Sequence, residues 1–178
     1  MNARIWPHDA APNLARELQL RRDADWLSPS LTYQFALTSC PADQLHVGHL
    51  RCIQSVASLA HDLVVIVNSD RFLLEKKGYS FMPLVQRAEL IAAIRGVTHV
   101  LMWDDGLQTV ENAIRLLQPD LFVKGGDRST PDRIAPSELQ VCRELGVKLV
   151  LGAGGSDKAE SSSRLVEEAV KKLAALGR

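Results

Sequence analysis

The sequence is short of cysteine, of net charge and of long apolar runs, and each shortage excludes something. Its three cysteines, Cys40, Cys52 and Cys142, are too few and too irregularly spaced for a disulfide framework or a paired metal-binding knuckle. They read as reduced thiols, and the expected location is the cytoplasm. The 21 basic side chains are matched by 21 acidic ones, so the formal charge is zero. No global field exists to hold a polyanion, and nucleic acid is not expected as the main partner. No apolar run exceeds the five residues Leu63 to Val67, whereas a bilayer span needs ~18. Met1 to Asp9 lack an apolar signal core. Neither a membrane span nor a secretory leader is expected, and no repeat or low-complexity tract interrupts the chain.

What is present is a soluble domain's composition. At 178 residues and 46% hydrophobic, the chain has the material for one domain with an ordinary core and no need of a staple. Residues 1–31 differ from the rest: Pro7, Pro12 and Pro29 bracket a charged stretch, Asn13 to Trp26, with Leu14, Leu18 and Arg21 on one helical face. This stretch reads as an N-terminal arm, packed on the domain or on a partner subunit and dispensable for folding. From residue 32 onward, short apolar runs of the buried-strand kind recur at Tyr33–Leu37, Leu63–Val67, His99–Trp103, Leu121–Val123 and Lys148–Leu151. Helical patterns lie between them at His49–Ala60, Leu84–Ile94, Leu107–Leu117 and Pro136–Leu145, and a last one runs from Ser162 to Leu176. This alternation predicts right-handed crossovers and a Rossmann-like α/β domain over 32–178, with a doubly wound five-stranded parallel sheet in the order 3-2-1-4-5. In such sheets the ligand crevice lies beyond the carboxyl ends of the strands. The polar, glycine-rich segments Asp43–His49, Lys124–Asp127 and Gly152–Ser163 all fall there.

The most informative segment is Thr38-Ser39-Cys40-Pro41-Ala42-Asp43-Gln44-Leu45-His46-Val47-Gly48-His49, a polar turn between a strand and a helix. Two imidazoles three residues apart at a helix start share one face, and Gly48 between them lets a phosphate approach the backbone. Free amides and the positive end of the helix dipole complete an anion site. A lone histidine would read as a cap or a core residue. The company of Gly48, Asp43 and the preceding strand favours function here, while His8, His61 and His99 read as structural or surface residues.

This segment resembles the nucleotidyltransferase signature T-x-G-x-F-D-x-x-H-x-G-H. Further stretches resemble, in order, the cytidylyltransferase-like group that includes heptose-1-phosphate adenylyltransferases and glycerol-3-phosphate cytidylyltransferases. These are Val67-Asn68-Ser69-Asp70, Lys77-Gly78, Pro83-Leu84-Val85-Gln86-Arg87, Val123-Lys124-Gly125-Gly126-Asp127 and the serine cluster Ser161-Ser162-Ser163. The resemblance covers residues 33 to about 170. Cys40 stands where the pattern has glycine and Ala42 where it has phenylalanine. Ser156 replaces an arginine of the glycerol-phosphate enzymes, which makes the last loop more similar to that of the adenylyltransferases.

The resemblance implies transfer of a nucleoside monophosphate from a triphosphate, ATP before CTP, to a phosphorylated small molecule such as a sugar 1-phosphate, with release of pyrophosphate. It implies His46, His49 and Lys77 as catalytic residues. Thr38, Ser39, Asp43, Gly48, Lys124, Gly126, Asp127, Ser161, Ser162 and Ser163 are implied on the nucleotide, and Arg87 on the substrate. Magnesium is implied as the counter-ion of the triphosphate, with no protein carboxylate cage, and a homodimer is the expected assembly. Glycerol-phosphate or riboflavin-phosphate acceptors, and a nucleotide-binding regulator with a degenerate loop, are the competing expectations.

Overall fold

The computed structural model describes residues 3–23, 33–126, 128–155 and 162–176. Six strands alternate with helices: β1 (Arg4–Trp6), α1 (Ala11–Asp23), β2 (Tyr33–Cys40), α2 (Val47–Ala57), β3 (Ala60–Asn68), α3 (Asp70–Lys77), α4 (Leu84–Ala92), β4 (His99–Trp103), α5 (Glu111–Leu117), β5 (Leu121–Gly125), α6 (Pro136–Leu145), β6 (Lys148–Ala153) and α7 (Ser162–Ala175). The strands form one parallel sheet in the order β1-β4-β3-β2-β5-β6. Without β1 this is the anticipated five-strand order; the count of five is corrected to six, because the arm contributes an edge strand. No described helix is long and apolar enough to cross a membrane.

The central strands are buried on both faces, so their apolar residues run consecutively and divide by parity. Val64 and Ile66 of β3, with Phe35 and Leu37 of β2, join one core, where Leu14 and Leu18 of α1 and Ala113, Ile114 and Leu117 of α5 pack. Leu63, Val65 and Val67, with Ala36, join the other, against Ile53 and Val56 of α2 and Ala88 and Ile91 of α4. Asp120 ties the start of β2 by accepting from the amides of Gln34 and Phe35 at 3.0 and 2.9 Å.

The arm is part of this core. β1 lies parallel to β4 with Arg4 opposite His99, and Trp6, Ala11, Leu14 and Leu18 are buried. The Trp6 indole donates to His99 Nδ1 at 3.2 Å, and Arg21 reaches Asp62 at 2.5 Å. The arm, expected to pack on the domain or on a partner subunit, packs on the domain, and its edge strand was not anticipated because three residues are too few to show periodicity. Arg21, on the helical face of Leu14 and Leu18, is an exposed side chain that serves as an ion-pair partner.

α3 was likewise not anticipated. Ser69 caps it, accepting from the Phe72 amide at 3.1 Å, and Gly78 ends it at φ 81°, a left-handed turn. Only Phe72 and Leu73 are buried along its eight residues, too few to register as a period.

β2 pairs with β3 on one side and β5 on the other, so the chain's winding reverses between β2 and β5. The loops that leave the carboxyl ends of these two strands therefore diverge and leave a crevice between them. Leu14→Ala is expected to destabilise the whole domain by ~2 to 5 kcal/mol, the usual range for a buried leucine. Urea unfolding followed by tryptophan fluorescence measures it; a loss confined to a local transition, with an unchanged main midpoint, would contradict an integral arm.

Candidate nucleotidyl-transfer site

The crevice is a cleft of about 390 Å³, within the ~300 to 1,000 Å³ typical of small-ligand sites. One wall is the turn after β2 and the start of α2. His46 is the N-cap of α2, and its Nδ1 accepts the Gly48 amide at 3.2 Å. The His46 amide in turn donates to Nδ1 of His49 at 3.4 Å. The two rings lie 3.9 Å apart between centroids.

These reciprocal bonds fix the tautomers. Each Nδ1 is an acceptor, so the ring proton of each histidine sits on Nε2. Burial first, then the neighbouring His46 and Lys77, push the His49 pKa down to about 4. His49 is therefore neutral at physiological pH and offers an N–H donor. Capping, which the sequence posed as the rival of function, uses Nδ1 of each ring and leaves Nε2 available.

Below this wall lies a knot of buried polar contacts. Asp43 is fully buried, and its carboxylate accepts the amides of Phe81 and Met82 at 3.0 Å each. Lys77 donates to the Asp43 carbonyl at 3.1 Å while lining the cleft. Burial lowers the Lys77 pKa, partly offset by Asp43.

Arg87 is 0% exposed and donates to the carbonyls of Met82 at 2.9 Å, Pro41 at 2.5 Å and Asn68 at 2.7 Å. It also pairs with Asp70 at 2.5 Å. Neither Asp43 nor Arg87 lines the cleft. Asp43, expected on the nucleotide, and Arg87, expected on the substrate, are instead found holding three loops together beneath the cleft.

The opposite wall comes from the ends of β2, β5 and β6. The Thr38 hydroxyl donates to the Val123 carbonyl at 2.9 Å and locks β2 to β5. Lys124 Nζ donates to Ser39 Oγ at 3.2 Å and to Glu138 Oε1 at 3.1 Å, with Glu138 Oε2 at 2.9 Å. A Cβ on Gly126 would lie 2.0 Å from the Gly155 carbonyl oxygen, and one on Gly154 would lie 2.6 Å from the Cys52 amide nitrogen. Only glycine permits these approaches, which close the wall against α2. Asp127 and Ser161 lie outside the described residues; Ser162 and Ser163 start α7.

Thr38, Ser39, His46, Gly48, His49, Lys77, Lys124 and Gly126 are thus brought to one cleft. The sequence reading missed Arg51, Cys52, Lys76, Gln108, Arg128 and Glu138, which also line it. Arg51 lies three residues after Gly48, one turn along α2, and could have been found by extending that face; Glu138 looks like any solvated charge in a first helical turn. Cys40, also in the wall, is driven by burial and by Cys52 up to about 12, so it is an inert thiol.

A family model described as cytidylyltransferase-like matches residues 42–149, which contain Asp43, His46, His49, Lys77, Arg87 and Lys124. The chain belongs to the cytidylyltransferase-like family. Among cytidylyltransferase-like relatives, the bifunctional protein HldE of Citrifermentans bemidjiense is 33% identical over 129 residues, 71% of this chain and 25% of that protein. That of Geotalea uraniireducens is 34% identical over the same shares. The chain spans about a quarter of the length of these relatives. The crystal structure of the lipopolysaccharide core biosynthesis protein from Thermoplasma volcanium superposes with a TM-score of 0.55 at 20% identity, over 68% of this chain and 95% of that one. At that identity it speaks for the fold alone.

Arg87→Met should cost at least about 3 kcal/mol in urea unfolding, since three carbonyls lose their donor, and Arg87→Lys should not restore it, because one ammonium cannot replace a planar fork. A lysine variant as stable as the parent would refute the knot.

The His49 pKa makes a second prediction. Its folded value of about 4 lies below the ordinary 6.5, so between the two the unfolded chain holds more protons. The stability that neutral His49 contributes is present above about pH 6.5 and lost as pH falls toward about 4. His49→Gln should flatten that part of the stability–pH curve, and an unchanged slope would contradict the buried neutral ring.

Proposed function

We propose that the chain transfers a nucleoside monophosphate from a nucleoside triphosphate to the phosphate of a sugar phosphate. An acceptor phosphate oxygen attacks the α-phosphorus in line, the bond from that phosphorus to the α–β bridging oxygen breaks, and pyrophosphate leaves with the electron pair. The reading is carried by one observation: two imidazoles locked with their protons on Nε2, at the amino end of a helix that faces the cleft. Little covalent chemistry is asked of a protein in phosphoryl transfer; positioning and charge stabilisation suffice. His46 and His49 donate to phosphate oxygens as charge moves to the leaving group, and Lys77 offsets that charge.

A sugar phosphate acceptor is favoured by the similarity to HldE proteins. ATP is the preferred donor and CTP the second, because Ser156 stands where glycerol-phosphate enzymes carry an arginine. Magnesium would enter bound to the triphosphate oxygens. Among the described residues no cluster of three His, Cys, Asp or Glu side chains could hold a metal ion, and the Asp43 carboxylate is already committed to backbone amides. The cleft's lysines, histidines and hydroxyls fit the anion, and the cation is left to phosphate and water.

A thermal-shift comparison of ATP, CTP, GTP and UTP with magnesium identifies the donor, since a ligand that binds only the native state stabilises it. Turnover on a panel of sugar phosphates, followed by pyrophosphate release, identifies the acceptor. His46→Ala or His49→Ala should then lower kcat by about 100-fold or more, the usual result of removing a transition-state donor. Near-parental turnover in both variants would overturn the assignment.

A further inference from the structure

Among the described residues lining the cleft, Glu138 is the one carboxylate. Glu138 comes from the first turn of α6, is 3% exposed, and stands against Lys124, which is 6% exposed. Both line the cleft. Glu138 Oε1 accepts from Lys124 Nζ and from the Val110 amide, each at 3.1 Å. The Lys124 ammonium also lies over the Phe122 ring at 4.5 Å and bonds the Ser39 hydroxyl, beside the histidine turn.

A buried ion pair is a poor device for stability alone, since well-packed apolar side chains usually serve as well or better. Here the pair stands at a cleft whose other described charged side chains are cations, at the end of the strand bordering the switch point. A lone ammonium at this depth would shed its proton. Glu138 supplies both the charge that retains it and the geometry that aims it at Ser39.

We infer that Glu138 is a positioning residue of the nucleotide site, holding the Lys124 ammonium beside Ser39 so that it bears on the triphosphate. The inference rests on the nucleotide reading of the cleft given above. Burial lowers the Lys124 pKa and Glu138 raises it. The other titratable or charged groups facing Lys124 are Arg128 after β5, Cys142 on α6 and Cys40 at the end of β2. Of these Arg128 is the cation, and it pushes in the same direction as burial. Loss of the Glu138 charge therefore lets Lys124 deprotonate at lower pH.

The test is the pH dependence of nucleotide binding by the intact chain, titrated calorimetrically with ATP and with CTP in excess magnesium. Glu138→Gln keeps the side chain's shape and its acceptor for Val110. It should move the alkaline loss of affinity down by about one pH unit or more, which is about tenfold weaker binding at a pH where the parent is still saturated, with near-parental affinity about two units lower. The effect should fall on KM more than on kcat. Lys124→Arg, whose guanidinium does not titrate, should abolish that alkaline limb, and it carries the test if Glu138→Gln does not fold. An unmoved limb in Glu138→Gln with only a lower melting temperature, or a parental limb in Lys124→Arg, overturns the inference and makes Glu138 a cap for Val110. Failure of the parent chain to bind either nucleotide at any pH overturns the reading of the cleft, and this assignment with it.

Discussion

The guanidinium of Arg87 is the contact on which the geometry of the cleft depends. Its four acceptors belong to the turn after β2, the end of β3, the first residue of α3 and the loop before α4. Loops at the carboxyl ends of parallel strands have no ladder to hold them, and their carbonyls would ordinarily turn to water. A planar, permanently charged fork satisfies several at once from one buried point. Asp43 does the converse task for amides, so the histidine turn is fastened from below through both kinds of backbone group. Lys77, also bonded to this turn, inherits its position.

This fastening explains how the turn tolerates its departures from the family pattern. Ala42, where phenylalanine is usual, is fully buried and takes a positive φ of 52°, a region that costs a non-glycine residue of order 1 kcal/mol or more. Its neighbour Asp43 is gripped by Phe81 and Met82, and Pro41 by Arg87, so the conformation is imposed from both sides. The imidazole pair then follows from α2 itself, because the helix start supplies the amide that each capping bond needs.

Sequence patterns carried the central fold well, since buried parallel strands announce themselves as β-branched runs and the helices between them as one-sided stripes. His99–Trp103 and Pro136–Leu145 are found with the anticipated limits. Elements whose stability comes from partners rather than from their own period were not legible. β1 is a strand only because β4 is beside it, and α3 is a helix by virtue of its caps. The same distinction runs through the cleft. The histidines stand out by spacing, and Lys77 and Lys124 through the resemblance to the family's motifs, whereas the inward roles of Asp43 and Arg87 depend on residues up to 46 positions away. Glu138 is paired across 14 residues with a lysine on another element, a relation no local pattern encodes.

The pairing of β1 with β4 has a consequence for the order of folding. Arg4 sits opposite His99, so this strand and the helix after it must wait for β4 before they have anywhere to dock. Until they arrive, β4 presents a bare row of amides and carbonyls on a strongly apolar strand, the kind of edge onto which another chain adds. The docked arm closes that edge with three residues and then covers one face of the sheet with α1. During synthesis and refolding the interval between completion of β4 and arrival of the arm is thus the period of greatest exposure to intermolecular pairing, and long-range closure of this kind is slow compared with helix formation.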